Sequence, residues 1–261
     1  MHDNIGLFLS KRAHLDPTVE AFVDVASGLR LSYHELNQRA NQTAHFLTTL
    51  GVKKGDRVAL LMLNCPAYLE LFFGLAKIGA VTVPLNIRLV ADELAYIIQD
   101  SGSGLLMFGP EFQAVTHQLH ENLAKISCVE NFIFVGGPDT TELDRPDFAL
   151  DYESLRLSSP AHEPTISAGE EEMLYIMYTS GTTGLPKGVV HTHNSAIWAC
   201  ITWAATGEFR LYDRYLLILP LYHVGALTPV TANIYLGSTN VVQRTFDPGE
   251  AWKLIEQERI N

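Results

Sequence analysis

The sequence predicts an α/β fold of layered, mostly parallel sheets covered by helices. Two patterns carry that prediction. Short, continuously apolar runs alternate along the chain with stretches whose apolar residues recur at helical spacing, the order that βαβ units produce. The runs are apolar on both alternating faces, as strands covered by helices on each side require.

The elements follow in order. After an opening segment at 10–16, residues 21–25 and 29–31 form a hairpin around Ser27-Gly28. Ser32-Tyr33-His34-Glu35 has the S-x-x-E form of a capping box, and Tyr33, Leu36, Ala40, Ala44, Leu47 and Leu50 continue it as a helical stripe that Gly51 stops. Residues 57–63 are a strand. Pro66 suits the first turn of a helix that carries Leu69, Phe72, Phe73, Ala76 and Lys77 to Gly79, and 80–84 completes a βαβ unit of right-handed crossover. Helices near 91–99 and 111–125 lead to strands 105–108 and 132–135. Residues 136–172 are polar, acidic and rich in Pro and Ser, a long surface connection that holds short elements of its own. Beyond it come a strand at 173–178, a glycine-rich run and the β-prone Val189-Val190-His191. A helix at 194–205, a strand at 215–219, a helix at 226–236 and a strand at 240–243 follow. Asp247-Pro248 starts the last helix, which carries Trp252, Leu254, Ile255 and Arg259. The expected division is a segment 1–56 packed on the second lobe, an α/β sublobe 57–205, and the start of a second sublobe at 206–261.

Composition narrows the function. With 261 residues and 47% hydrophobic content the chain can bury a sizeable core. Eighteen Lys and Arg against 29 Asp and Glu give a charge of −11, which argues against general nucleic-acid binding and leaves any anionic ligand to a local positive pocket. Cys65, Cys128 and Cys200 have no metal-binding spacing and fit a reduced, cytoplasmic compartment; the start lacks the regions of a signal peptide. No Asp, Glu, Lys or Arg stands between Arg214 and Arg244. Pro220, His223, Gly225, Pro229 and Asn233 interrupt that stretch, so it reads as buried strand, turn and helix and not as a membrane span.

Chemistry concentrates in Tyr178-Thr179-Ser180-Gly181-Thr182-Thr183-Gly184-Leu185-Pro186-Lys187-Gly188. Hydroxyls and backbone amides donate, glycine lets the main chain curl close to a ligand, and a lysine adds full positive charge. That inventory suits phosphate beyond the carboxyl end of a strand. It fails the nucleotide P-loop pattern, because Pro186 stands where the second glycine belongs and Gly188 follows the lysine. His191 and His193 are two ligands without a third and read as loop and helix-start polar groups. No G-x-S-x-G hydrolase elbow occurs. In Leu219-Pro220-Leu221-Tyr222-His223-Val224-Gly225, a histidine lies inside the charge-free stretch, the usual setting of a hydrogen-bonded core residue.

The unbroken run from Tyr178 to Val189 resembles the signature loop of the adenylate-forming superfamily, which includes acyl-CoA synthetases, luciferases and peptide-synthetase adenylation domains. Ser32-Tyr33-His34-Glu35-Leu36, Asn64-Cys65-Pro66, Leu75-Ala76-Lys77-Ile78-Gly79-Ala80 and Val83-Pro84-Leu85-Asn86 fall in family order, each alone reading as a packing motif. Pro84-Leu85-Asn86-Ile87-Arg88-Leu89 is more similar to the fatty-acyl and short diacid CoA ligases. The resemblance spans the N-terminal half of such an enzyme. It implies an acid–CoA ligase that forms an acyl-adenylate from a carboxylic acid and ATP with Mg²⁺, then transfers the acyl group to coenzyme A. Alternatives are an adenylate-forming enzyme with another acceptor, or a non-catalytic fragment that binds nucleotide or acyl ligand. Residues 1–261 alone are expected to be inactive.

By the same resemblance, Thr179, Ser180, Gly181, Thr182, Thr183 and Gly184 hold the β- and γ-phosphates. Thr179 is the hydroxyl ligand of the magnesium, its carboxylate partner lying downstream of Asn261. Lys187 either adds a point charge or steadies the loop, and is not the family's C-terminal adenylation lysine. Tyr222, His223, Gly225 and Leu227 line the acyl pocket, His223 orients the carboxylate or α-phosphate as a donor, and Val224 offers backbone to the nucleotide. Ala226 and Leu227 stand where some long-chain enzymes carry an aromatic gate. Peripheral membrane contact and homo-oligomerisation stay open.

Overall fold

The computed structural model describes residues 4–141, 144–179 and 184–261. Its strands form two sheets that share a helical filling. The N-terminal part comprises α1 (Gly6–Leu15), β1 (Glu20–Asp24), β2 (Arg30–Ser32) and α2 (Tyr33–Thr49). Then follow β3 (Arg57–Leu61), α3 (Pro66–Ile78), β4 (Val81–Pro84), α4 (Ala91–Ser101), β5 (Ser103–Phe108), α5 (Gln113–Glu121) and β6 (Asn131–Phe134). The remainder is β7 (Ala149–Asp151), α6 (Tyr152–Leu157), β8 (Met173–Thr179), β9 (Lys187–Thr192), α7 (His193–Thr206), β10 (Arg214–Leu217), α8 (Val224–Leu236), β11 (Thr239–Val242) and α9 (Pro248–Gln257).

Seven strands run in the order β7-β6-β5-β3-β4-β8-β9, and four in the order β10-β11-β1-β2. Neighbours are parallel except β8/β9 and β1/β2, which are hairpins. The N-terminal hairpin enters the smaller sheet directly, with Phe22 opposite Asn240 across the β1/β11 pair. Alternation along β3 explains its unbroken apolar run. Val58 and Leu60 face the core shared with the smaller sheet, whereas Ala59 and Leu61 face a second cluster with Leu94, Ile98 and Leu119.

Local signals set several boundaries as expected. Ser32 Oγ accepts from Glu35 N–H while the Glu35 carboxylate accepts from Ser32 N–H at 2.8 Å, a closed capping box. Gly51 takes φ +92° just past α2, and Pro66 opens α3. The opening segment belongs to a helix that begins at Gly6. Elsewhere the chain departs from expectation. The helix expected at 111–125 breaks into a 3₁₀ turn at Pro110–Phe112, α5, and a second 3₁₀ turn at Leu123–Ile126, with Asn122 between the last two at φ −115°, ψ 46°. The connection 136–172 contributes an edge strand, β7, and the short helix α6.

That connection is held by two charges on α3. Residues 67–78 of this helix are all buried, Glu70 and Lys77 among them. Glu70 accepts from Arg39 Nε at 2.6 Å and from the Tyr152 hydroxyl at 2.7 Å, with Arg156 Nε at 3.8 Å. Lys77 Nζ donates to Asn37 Oδ1 and Asn41 Oδ1, each at 2.6 Å, and to Glu163 Oε2 at 2.9 Å. A buried charge without such partners would cost several kcal/mol.

Two outcomes follow from these charges. Glu70→Ala takes the 2.6 Å carboxylate partner from Arg39, leaving it Glu153 at 3.8 Å, while Arg156 keeps its own pair with Glu153; stability in urea unfolding should fall by up to about 3 kcal/mol. Burial pushes the Lys77 ammonium down to about 8, against the pull of Glu163. Between that value and the ordinary 10.5 the unfolded chain therefore binds more protons than the folded one. Stability measured against Lys77→Met should rise with pH across this window, by up to about 1.4 kcal/mol per unit, and should fall as pH drops through 8.

Candidate active site

The glycine-rich motif bridges the two strands of a hairpin. Thr179 pairs with Lys187, Tyr178 with Gly188, Met177 with Val189 and Ile176 with Val190, so the paired strands bracket residues 180–186 of the sequence. Ser180, Gly181, Thr182 and Thr183, all expected to hold phosphate, lie outside the described residues. Thr179, Gly184 and Lys187 flank them and are exposed. β8 runs parallel to β4, so the loop leaves the larger sheet at the carboxyl edge, where ligands of α/β sheets gather. The return of 187–192 as a paired antiparallel strand was not expected from sequence.

Tyr178 anchors the stem. Its hydroxyl donates to Asp100 Oδ2 at 2.5 Å, and its ring lies across Gly188, where an added Cβ would come within 3.1 Å of Tyr178 Cζ and 2.8 Å of Ile176 Cγ2. Of the two histidines expected as loop and helix-start groups, His193 does start a helix, whereas His191 lies in a strand. His191 lies in β9 with its ring stacked on Tyr175 at 4.4 Å. His193 opens α7, fully buried, and its Nδ1 accepts from Ile5 N–H at 3.1 Å. Burial pushes His193 down to about 4, a neutral packing residue.

The second predicted segment is the turn between β10 and α8. His223 is exposed, contrary to a core setting, and is the N-cap of α8: its Nδ1 accepts from Gly225 N–H at 3.2 Å. A ring nitrogen that accepts carries no proton, so the neutral ring holds its hydrogen on Nε2. The result is an outward donor at the N-terminus of a 13-residue helix, the end that favours anions. Val224 is exposed, and Tyr222 and Gly225 are half-buried. Leu227 is 1% exposed and packs in the core shared by both sheets, because residue 227 faces inward one turn after the cap.

Both segments pack into one core. Leu174, Tyr175 and Met177 of β8 share a core with Leu221, Ala226, Leu227 and Val230 of the β10–α8 segment. Asn64, just past β3, ties the carboxyl edges of the sheets together. Its Nδ2 donates to Leu219 O and Gln243 O, each at 3.0 Å, and its Oδ1 accepts from Leu221 N–H at 2.8 Å. By sequence alone Asn64-Cys65-Pro66 is a packing motif; the signal it carries is an asparagine between a strand end and a Pro-led helix. A separate cleft of about 470 Å³, lined by Asp24, Arg39, Asp151, Glu153 and Arg244, holds none of the predicted residues. Among the described residues no group of three or more His, Cys, Asp or Glu could hold a metal ion, and no helix is long and apolar enough to cross a membrane.

The profile of the AMP-binding enzyme family matches residues 9–261. The chain belongs to that family. Among AMP-binding enzymes it is 42% identical over 257 residues to the long-chain-fatty-acid–CoA ligase FadD13 of Mycobacterium tuberculosis, covering 98% of this chain and 48% of the relative. To the feruloyl-CoA synthase of an Amycolatopsis species it is 34% identical over 260 residues, 99% of this chain and 48% of the relative. In structure it is similar to the inhibitor-bound N-terminal domain of FACL13 from Mycobacterium tuberculosis. There the TM-score is 0.91 and the identity 40%, covering all of this chain and 62% of the other. The chain thus spans about half the length of these AMP-binding relatives and is homologous to part of the N-terminal domain of fatty acyl-CoA ligases.

The stem of the motif hairpin is sterically tight at Gly188. Gly188→Val should lower stability by roughly 1–3 kcal/mol, as overpacking does, and loosen Tyr178 from Asp100, read by urea unfolding and by tyrosine fluorescence.

Proposed function

We propose that residues 1–261 supply the phosphate loop and part of the acyl wall of an acid–CoA ligase. The enzyme would take a carboxylic acid, fatty by the relation to FadD13, and activate it with ATP. A carboxylate oxygen bonds to the α-phosphorus, pyrophosphate leaves, and the thiol of coenzyme A then displaces AMP from the acyl carbon. Both reactants of the first step are anions, so the protein's task is to neutralise charge and hold them in line.

In this reading Thr179, Gly184 and Lys187, with Ser180, Gly181, Thr182 and Thr183 between them, hold the β- and γ-phosphates. Lys187 contributes as a point charge at the loop's exit. His223 acts as the donor to the carboxylate or α-phosphate through Nε2–H, its other nitrogen being engaged by Gly225. Tyr222 and Gly225 border the acyl group, Leu227 supports that wall from the core, and Val224 meets the nucleotide. Bound Mg²⁺ would neutralise phosphate charge. This chain offers it one hard oxygen at Thr179, consistent with a shell completed mainly by phosphate and water. The three free cysteines fit a reducing, cytoplasmic setting.

The observation that carries this reading is a strand pair that brackets the donor-rich sequence 180–186, with Lys187 in the last pair and His223 exposed at the cap of α8. The test is ATP affinity with Gly181→Ala and Lys187→Ala combined. Charge-assisted bonds of about 1.5–3 kcal/mol each predict a loss of roughly tenfold or more. Unchanged affinity would overturn the phosphate assignment.

A further inference from the structure

We infer that Asn64 is a positioning residue for His223. The inference rests on the reading of His223 as a donor to the reacting anions. Asn64 belongs to the larger sheet's edge and His223 to the smaller sheet's, and the side-chain amide is the bridge between them. It donates to Leu219 O and accepts from Leu221 N–H, spanning the residues on either side of Pro220. A residue in a parallel strand pair addresses its neighbour in the same way, so the amide extends the pairing past the end of β10 at Leu217.

Among the described residues, the hydrogen bonds that tie 218–222 to another element are those to Asn64. Within the segment, His223 N–H donates to Pro220 O at 3.0 Å and closes the turn that delivers the histidine to its cap. The second amide hydrogen goes to Gln243 O at the end of β11, which fixes the amide's rotation. Asn64 is 4% exposed, and its donors and its oxygen are engaged on three backbone groups of two loops.

Few side chains can do this. Aspartate would face two carbonyl oxygens with acceptors alone. Leucine would leave two carbonyls and one N–H buried without partners. Glutamine adds a methylene and would push the turn outward. The amide thus sets where the turn lies, two residues before the donor that the chemistry uses. Misplacing a catalytic group by about 1 Å can cost about a hundredfold in rate.

The experiment is a double-mutant cycle on the ligase that carries this chain, read by acid-dependent ATP–pyrophosphate exchange. Asn64→Ala should lower kcat by about 10- to 100-fold while KM for ATP stays within about threefold. Combined with His223→Ala, it should add little to the loss from His223→Ala alone. The Leu221 amide should also exchange with solvent about tenfold faster or more in Asn64→Ala than in the parent or in His223→Ala. If Asn64→Ala does not fold, Asn64→Ser, which keeps one hydrogen-bonding oxygen, takes the same cycle. Losses that multiply in the double variant, or Leu221 exchange indifferent to Asn64, overturn the positioning role. Full activity in His223→Ala overturns instead the reading beneath it, and only that arm reports it.

Discussion

Two charges on a helix buried from Ala67 onward hold this molecule's layers in register. Glu70 and Lys77 lie seven residues apart on α3, two turns along nearly one face, where the surroundings are otherwise apolar. Neither can stay charged there without partners, and the partners come from far along the chain. Tyr152 and Arg156 reach Glu70, and Glu163 reaches Lys77 together with Asn37 and Asn41 of α2. The polar stretch between β6 and β8 is ordered at these points because the core demands it. With the stretch fixed, β8 enters beside β4 and carries the glycine-rich loop to the sheet's edge.

The motif hairpin and the His223 turn draw on one core as a consequence of that layering. One belongs to the seven-stranded sheet and the other to the four-stranded sheet, and the same core cluster supports both. Capping adds a chemical detail that distance alone would not. Because Gly225 N–H occupies Nδ1, the ring's tautomer is decided by the backbone before any ligand arrives.

What the sequence revealed is what neighbours along the chain decide. The capping box at Ser32 and Glu35, the proline opening α3, and the aspartate that caps α9 by accepting from Glu250 N–H all depend on contacts within a few residues. The seven-stranded order, the fully buried His193, and the turn of 187–192 back onto β8 depend on contacts that no local window contains. Asn64 is the sharpest case, since its partners lie 155, 157 and 179 residues away. The burial of Leu227 is hidden for a related reason: a motif names positions, but the rotation of α8 decides which of them face inward.

The motif loop runs into a strand, and α7 begins only at His193, six positions after Lys187. A loop that fed straight into a helix would place the aligned peptide dipoles of that helix behind a bound anion. Here the described exit at Lys187 leads into a strand and not into a helix N-terminus, and the chain as a whole carries a net charge of −11 that repels anions. Within the motif itself, attraction for a polyanion would then rest on the Lys187 ammonium, which dissolved electrolyte screens, and on short-range hydroxyl and amide donors, which it leaves largely intact.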